Sequence, residues 1–189
     1  MDYLTLASVA ETKIREQYRL LYNVLVVLSG SFLIAIMAQL EIRLPFSPVP
    51  ITGQTFAILV VAMALGAVRG GLAVLAYLIE GFAGLPVLAG GAAGIIHLFG
   101  PTGGYLVGFL ASAVMVGFLA ERGWDRNIVL TLVAMYFATI IIFCIGLCWL
   151  GVFVPYDQVY SLGLWPFIPG AIIQIAAAAL LLPTIRRFV

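Results

Sequence analysis

Two short segments that contain threonine and glycine carry the residues of this sequence best suited to hold a small ligand. The first, Pro48-Val-Pro-Ile-Thr-Gly-Gln54, offers an N-cap residue at Thr52 and a neutral amide at Gln54. The second, Gly100-Pro-Thr-Gly-Gly-Tyr105, begins a predicted helix, where free backbone N–H groups can donate to a carboxylate. Helix capping explains each segment equally well, so the residues alone leave both interpretations open.

Isolated polar residues inside apolar segments form a second group of candidates, because polar groups are costly in membrane-spanning helices. They are Gln39, Glu80, His97 and Gln174. The Glu80 carboxyl could face a pocket or reach the membrane surface. His97 has no accompanying metal ligands, which favours a hydrogen-bonded loop residue over a catalyst. Aromatic residues could line a pocket, although anchoring at the membrane interface is their more common role: Tyr77, Trp149, Tyr156, Tyr160 and Trp165.

No set of residues in the sequence points to catalysis. A Ser/His/acid set, a zinc signature and a Walker loop are all missing, so we predict a protein that is not an enzyme and needs no cofactor or metal. Cys144 and Cys148 share a helix face without His or acidic partners, which favours packing over metal binding. Nine scattered basic residues argue against nucleic acid as a partner.

The elements that must position these residues are membrane helices. Hydrophobic residues make up 64% of the 189 positions and charged residues only 9%, so the solvent of this chain is lipid. We predict one all-α domain over 1–189, in which residues 1–21 lie on the membrane surface. The first span is taken as retained rather than as a cleaved signal, because its apolar stretch is long. Six spans are predicted, over 22–40, 54–68, 71–87, 104–121, 128–151 and 164–183.

The basic residues predict the orientation of these spans. An even number of spans puts eight of the nine on one side and leaves Arg43 alone on the other. Both termini are therefore expected on the cytoplasmic side of a bacterial-type cytoplasmic membrane. The segment 81–105 then faces outward, and it is too glycine-rich for a helix and too apolar for an aqueous loop. We expect it to fold over an outward-facing pocket, although glycines that only permit close helix packing are the alternative.

Small residues in the first predicted span, Ser31, Ala35 and Ala38, form a face on which a helix of a partner subunit could pack.

Four blocks of the sequence resemble the BioY family, the biotin-specific S component of energy-coupling factor transporters. They are Val49-Pro-Ile-Thr-Gly-Gln-Thr55, Gly84-Leu-Pro-Val-Leu-Ala-Gly-Gly91, Phe99-Gly-Pro-Thr-Gly-Gly-Tyr-Leu-Val-Gly108 and Pro166-Phe-Ile-Pro-Gly170. The resemblance implies a six-helix S-component bundle that binds biotin near the outer surface. It also implies coupling to a transmembrane T component and two ABC-type ATPases. By this analogy the site is lined or closed by Thr52, Gln54, Gly90, Gly91, Thr102, Gly103, Gly104 and Tyr105.

One departure from the family pattern concerns the predicted last helix. The family usually follows its last Pro-Gly with an Asp and, three residues on, a Lys, where this chain has Ala171 and Gln174. A neutral Gln can still hydrogen-bond a ureido ring, so we expect the ureido head at Gln174 and the carboxylate at Thr102 to Tyr105. Tyr77 and Glu80 complete the predicted pocket. The alternatives are an S component for another vitamin-like ligand and a structural membrane subunit without a ligand.

Overall fold

The computed structural model describes residues 4–187, and nearly all of its regular structure is helical, as predicted. One short antiparallel ribbon pairs β1 (Glu41–Ile42) with β2 (Ile51–Thr52). The α-helices are α1 (Leu6–Thr12), α2 (Arg19–Ala38), α3 (Gln54–Leu65), α4 (Ala67–Phe82), α5 (Ile96–Phe99), α6 (Gly103–Ala120), α7 (Ile128–Leu150), α8 (Val159–Gly163) and α9 (Ile168–Arg186).

Six of these helices, α2, α3, α4, α6, α7 and α9, coincide with the six predicted spans. Within residues 4–187, four helical stretches are long and apolar enough to cross a membrane: Glu16–Ala38, Gly103–Ala120, Ile128–Leu150 and Tyr156–Arg186. The other two are shorter, since α3 has 12 residues and α4 has 16. A membrane protein with four such stretches is therefore established, and six crossings stay a prediction.

The boundary between α3 and α4 differs from the prediction, which placed Arg69 in a connection between two spans. The chain turns at Gly66 alone, where the positive φ of 90° suits a residue without a side chain. Glu121 at the end of α6 accepts a hydrogen bond from the Ala67 backbone N–H at 2.9 Å. Because this carboxylate caps the free amide, α4 begins directly after the turn, and Arg69 lies in its first helical turn.

The small-residue face of α2 is covered within the chain. Ser31 and Ala38 are 0% exposed and Ala35 is 8% exposed, so these residues cannot contact a partner subunit. The Ser31 hydroxyl donates to the Glu80 carboxylate at 2.7 Å, which joins α2 to α4. The prediction that these three residues pack on a partner helix is therefore wrong, because helices of the same chain already fill this face.

The N-terminal segment is tied to the bundle at the end of α3. Thr5 is buried and its hydroxyl donates to the Leu65 carbonyl at 3.5 Å, while the Tyr22 hydroxyl donates to the Ala7 carbonyl at 2.9 Å. Arg69 pairs with Glu11 from the same segment. Residues 1–3 of the predicted surface segment, and residues 188–189 of the predicted domain, lie outside the described residues.

Candidate functional site

A cavity of about 460 Å³ lies at the end of the bundle where α3, α6 and α9 begin. This volume falls within the range of small-molecule sites in proteins. Its wall combines three kinds of residue: a polar cluster at the start of α3 and on α9, aromatic residues on α6, on α7 and just before α9, and charged groups in the connection after α2. A cavity of this composition suits a ligand that is partly apolar and carries a few hydrogen-bonding groups.

The polar cluster is built from Thr52, Gln54 and Gln174, all of which line the cavity. Thr52 donates its hydroxyl proton to the Gln54 side-chain carbonyl at 3.0 Å and accepts the Gln54 backbone N–H at 3.3 Å. The Gln174 amide donates to the Thr52 backbone carbonyl at 3.1 Å. These bonds join the start of α3 to α9 and hold two neutral amides at the cavity wall.

The aromatic face consists of Tyr105, Phe143 and Phe167, whose ring centroids lie 6.3–6.5 Å apart. Tyr105 is held in place because its hydroxyl donates to the Gly163 carbonyl at 2.8 Å. All three rings line the cavity. They provide an apolar surface of fixed shape opposite the hydrogen-bonding groups of the polar cluster.

Charged groups come from the connection between α2 and α3. Glu41 and Arg43 both line the cavity and form an ion pair in which the Arg43 side chain is 75% exposed. His97 is a further lining residue, contributed by the glycine-rich segment. In the part of the chain that the structure describes, Arg43 is the one Lys or Arg in the cavity wall. An anionic group of a ligand at Arg43 would share this guanidinium with Glu41.

Hydrogen bonds hold the connecting loops against the helices. The Trp149 indole N–H donates to the Gly100 carbonyl at 2.9 Å, which fixes the glycine-rich segment to α7. The Gln39 amide donates to the Val87 and Leu88 carbonyls, and the Ser47 hydroxyl to the Leu162 carbonyl at 2.7 Å. The glycine-rich segment thus lies against the helices and contributes Leu88, Ala89, Ala92 and His97 to the cavity wall.

The predicted site residues fall into two groups in the structure. Five of them line the cavity: Thr52, Gln54, Thr102, Tyr105 and Gln174. The other six do not line it, so the structure does not place them in the cavity wall as predicted. Tyr77 lies fully buried behind Gln54, whose amide donates to its hydroxyl. Glu80 is turned towards α2, where its carboxylate accepts the hydrogen bond from Ser31.

The four predicted glycines serve the packing of the loops instead. A methyl group on Gly103 would lie 1.8 Å from the Leu98 carbonyl oxygen, and one on Gly104 would lie 2.2 Å from the Trp149 Cβ. Gly90 has a positive φ and leaves room for the Glu41 carboxylate. Gly91, also at positive φ, lies exposed in the same turn. A side chain on Gly90, Gly103 or Gly104 would therefore overlap a neighbouring atom, whereas the nearest atom to a Cβ on Gly91 would lie 3.8 Å away.

At the start of α6, two backbone donors of the predicted carboxylate cradle are already paired within the chain. The Gly103 N–H donates to the Gly100 carbonyl and the Tyr105 N–H donates to the Thr102 carbonyl, each at 3.0 Å. Backbone donors that are already satisfied have little to gain from an anion. The side chains of Arg43, His97 and Thr102 also line this cavity.

Several lining residues were missed by sequence analysis because their helix gives no pattern. Helix α7 is apolar on every side, so Thr139, Ile142 and Phe143 cannot be distinguished from lipid-facing neighbours by periodicity. Phe167 lies in the segment Pro166-Phe-Ile-Pro-Gly170, and the resemblance of that segment to the family was the only indication of its role. The anchoring interpretation stays open for Tyr156, Tyr160 and Trp165, whose side chains are mostly exposed.

Comparisons with known proteins agree with this architecture. A sequence profile described as the BioY family matches residues 10–189. The Biotin transporter BioY of Rhizobium etli is 34% identical over 166 residues, which cover 84% of this chain and 89% of the relative. The Biotin transporter BioY of Thermotoga maritima is 34% identical over 160 residues, which cover 84% and 94%. The Probable biotin transporter BioY of Pyrococcus horikoshii is 35% identical over 141 residues, which cover 75% and 83%.

A solved structure shares the fold. It is the crystal structure of the S-component for biotin from an ECF-type ABC transporter, with a TM-score of 0.82 and 26% sequence identity. The match covers 92% of this chain and 95% of the solved chain. The expected resemblance to the family and to its S-component fold is confirmed.

Proposed function

We infer that this chain, which belongs to the BioY family, captures biotin and serves as the substrate-binding subunit of an uptake transporter in a membrane. The observation that carries this function is the match of the family profile to residues 10–189, in a chain whose fold aligns with a biotin S-component. The cavity at one end of the bundle gives the ligand a site. Membership of a transporter family also agrees with the expectation that the chain is not an enzyme.

We propose that α3 and α4 also cross the bilayer, which gives six spans and places both termini in the cytoplasm. The sorting of the basic residues supports this topology, because only Arg43 lies at the cavity end. The cavity then opens towards the outside, where biotin arrives. Energy for release inward would come from partners, a T component and two ABC-type ATPases, since this sequence has no Walker loop.

For the bound ligand we propose one orientation. The ureido ring faces the amides of Gln54 and Gln174, which supply donors and acceptors without charge. The bicyclic ring and chain lie on the aromatic face of Tyr105, Phe143 and Phe167. The valerate carboxylate points towards Arg43.

Titration calorimetry of the purified full-length protein with biotin tests the function. We expect saturable binding with a dissociation constant well below a micromolar, because a scavenging subunit works at low ligand concentration. Absence of binding at tens of micromolar would contradict the proposal.

A second candidate ligand is favoured by Ala171 and Gln174, which line the cavity where the family usually has Asp and Lys. Different residues at positions 171 and 174 can change the preferred ligand, because buried polar groups reject molecules that leave them unpaired. Native mass spectrometry of the purified protein distinguishes the two cases. Co-purified biotin supports the first function, and a different vitamin-like molecule supports the second.

Replacing Gln174 by leucine is expected to weaken biotin binding about tenfold. Leucine has a similar size but cannot pair with the ureido ring, and a lost hydrogen bond in a binding site costs roughly 1–2 kcal/mol. Calorimetry measures the change, with Gln158→Leu as the control because Gln158 is exposed outside the cavity wall. Equal affinities of the Gln174 variant and the control would show that this amide does not contact the ligand.

Replacing Arg43 by glutamine is expected to weaken biotin binding about threefold to fivefold, because an exposed ion pair contributes up to about 1 kcal/mol. The same change should leave binding of biotin methyl ester unaltered, since the ester carries no negative charge. Arg19→Gln, in an exposed residue at the other end of α2, is the control. An equal loss of affinity for biotin and for its methyl ester would mean that Arg43 stabilises the loop and does not bind the carboxylate.

A further inference from the structure

A second cavity lies at the end of the bundle opposite the ligand cavity. It has a volume of about 690 Å³ and forms an open groove between α2 and α4. Its walls are mainly apolar, and five of the side chains in them are 39–56% exposed: Val24, Leu28, Leu72, Leu75 and Ile79. In a chain that lies in lipid, such walls contact acyl chains, because lipid tails are as apolar as the side chains themselves.

The polar residues of the groove lie at one end of it: Ser8, Asn23, Arg69 and Glu121. Glu121 directly follows Gly103–Ala120, a stretch that is long and apolar enough to cross a membrane. Arg69 lies in the first turn of α4, and Asn23 lies in the second turn of α2. The polar end of the groove therefore lies at the depth of the lipid headgroups, and the apolar walls lie along the lipid tails.

A negative charge is left over at this polar end after pairing within the chain. The Arg69 guanidinium pairs with the Glu11 carboxylate and donates to the Ser8 hydroxyl at 3.3 Å. Glu121 accepts the Ala67 backbone N–H with its Oε1 at 2.9 Å, and among residues 4–187 its Oε2 has no hydrogen-bond partner. One carboxylate of the groove therefore has no cation beside it in the described chain.

Asn23 gives a second, independent indication of what the groove lacks. Its side chain is half-buried, and within the described chain its Oδ1 is buried without a hydrogen-bond partner. A buried acceptor without a donor costs free energy. Glu121 and Asn23 therefore both favour a ligand that brings N–H donors, and Glu121 also favours one that brings a positive charge.

Common phospholipid headgroups differ in these two properties. A phosphoglycerol headgroup carries a negative charge and no cation. A phosphocholine headgroup carries a cation whose methyl groups leave no N–H to donate. A phosphoethanolamine headgroup has an ammonium group with N–H donors, next to a phosphate that can accept. The phosphate also finds a partner, because the guanidinium of Arg69 has more N–H groups than its contacts with Ser8 and Glu11 use.

We propose that this groove binds a phospholipid with a phosphoethanolamine headgroup. The ammonium group lies at Glu121, the phosphate lies at Arg69, and an acyl chain lies between α2 and α4. This site is separate from the ligand cavity and does not depend on which ligand that cavity binds. Because the lipid contacts α2, α4 and the end of α6 together, it stabilises the bundle against unfolding.

Native mass spectrometry of the full-length protein tests the selectivity of the groove. Micelles receive equal amounts of phosphatidylethanolamine, phosphatidylcholine and phosphatidylglycerol with identical acyl chains. We expect the protein to retain phosphatidylethanolamine about fivefold more than either competitor, because the ammonium group forms a partly exposed ion pair. Equal retention would indicate unselective lipid contact or a groove that a partner helix covers, and a preference for phosphatidylglycerol would indicate a basic site. Either result would overturn the proposal.

Replacing Glu121 by glutamine tests the contact with the ammonium group. Glutamine keeps a side-chain oxygen for the Ala67 N–H and removes the negative charge. The ratio of retained phosphatidylethanolamine to phosphatidylcholine should therefore fall to about one. Glu16→Gln is the control, because it makes the same change in a side chain that is 89% exposed outside the groove wall. An unchanged ratio in Glu121→Gln, or an equal fall in both variants, would overturn the proposal.

The natural protein provides the same test without a variant, in case Glu121→Gln does not fold. Phosphatidylethanolamine is compared with its monomethyl and dimethyl derivatives and with phosphatidylcholine. Retention should fall as methyl groups replace the N–H donors, because the positive charge stays constant while hydrogen bonds are lost. Equal retention along this series would overturn the proposal.

Thermal unfolding in micelles tests the position of the acyl chain. Added phosphatidylethanolamine should raise the unfolding midpoint of the natural protein by a few degrees. Ala76→Phe fills the groove and should abolish this rise, whereas Ala111→Phe, at an exposed position of α6 outside the groove wall, should preserve it. An equal rise in both variants would overturn the proposal. Biotin titration of the natural protein tests the proposed function separately, so the two failures are distinguishable.

Discussion

Replacing Gly103 by alanine is expected to weaken biotin binding about 30- to 100-fold. The added methyl group would lie 1.8 Å from the Leu98 carbonyl oxygen and 2.7 Å from the Leu98 carbonyl carbon. Both are backbone atoms, so the loop must move away from α6. Overpacking of this kind costs roughly 1–3 kcal/mol. The displaced loop carries His97 and Thr102 out of the cavity wall, and calorimetry with biotin measures the loss.

Gly100 provides the matched control in the same loop. A methyl group on Gly100 would meet its nearest atom at 3.5 Å, an ordinary contact, and its φ of −86° suits any residue. Gly100→Ala should therefore bind biotin as the natural protein does. Thermal unfolding of both variants shows whether the bundle stays intact. Natural affinity in Gly103→Ala, or an equal loss in both variants, would contradict the assignment of Gly103 to loop packing.

Removing the Arg186 guanidinium is expected to lower the free energy of unfolding by about 3–5 kcal/mol. Arg186 ends α9, and its Nε lies 3.2 Å from the carboxylate of Asp125, in the connection between α6 and α7. The two side chains are 9% and 2% exposed. Burial raises the pKa of the Asp125 carboxyl, and the charge of Arg186 opposes part of that rise. Arg186→Ala would leave this carboxylate buried without its partner.

Reversible denaturation in mixed detergent micelles measures the change in unfolding free energy. Arg187→Ala is the matched control, because the neighbouring Arg187 is exposed and its loss should change stability little. The double variant Asp125→Ala with Arg186→Ala should recover part of the loss, because no buried charge is left alone. A double variant less stable than Arg186→Ala would show that the cost does not arise from an unpaired carboxylate.

Single residues show which parts of the site can be predicted from the sequence. Gln174 was identified because a polar residue in an apolar segment is conspicuous, and Gln54 because it ends the motif that begins at Pro48; both line the cavity. Tyr77 was identified as an aromatic residue that could line a pocket, but the depth of its ring behind Gln54 depends on how α3 packs against α4. Phe143 was not identified at all, since nothing distinguishes one aromatic residue from the next in a helix that is apolar on every side.

The small residues of α2 also show what sequence analysis cannot predict. Ser31, Ala35 and Ala38 were correctly seen as a face that permits close packing, yet the helix that covers this face belongs to the same chain. A small-residue pattern states that a neighbour can approach and does not state which neighbour. Likewise, the motif around Gly103 indicates a backbone in close contact, and only the folded loop shows that the contacting backbone is that of Leu98.

The sequence by itself determined the solvent, the helical class and the family of this protein, because these follow from composition and from motifs that are local in the chain. The tertiary structure alone decided which side chains meet at the cavity and which stand behind them. Those contacts join residues far apart in the chain, such as Gln174 with Thr52 and Tyr77 with Gln54. In lipid, hydrophobicity does not specify which helix packs on which, so the pairing depends on the fit of particular side chains and on a few buried hydrogen bonds.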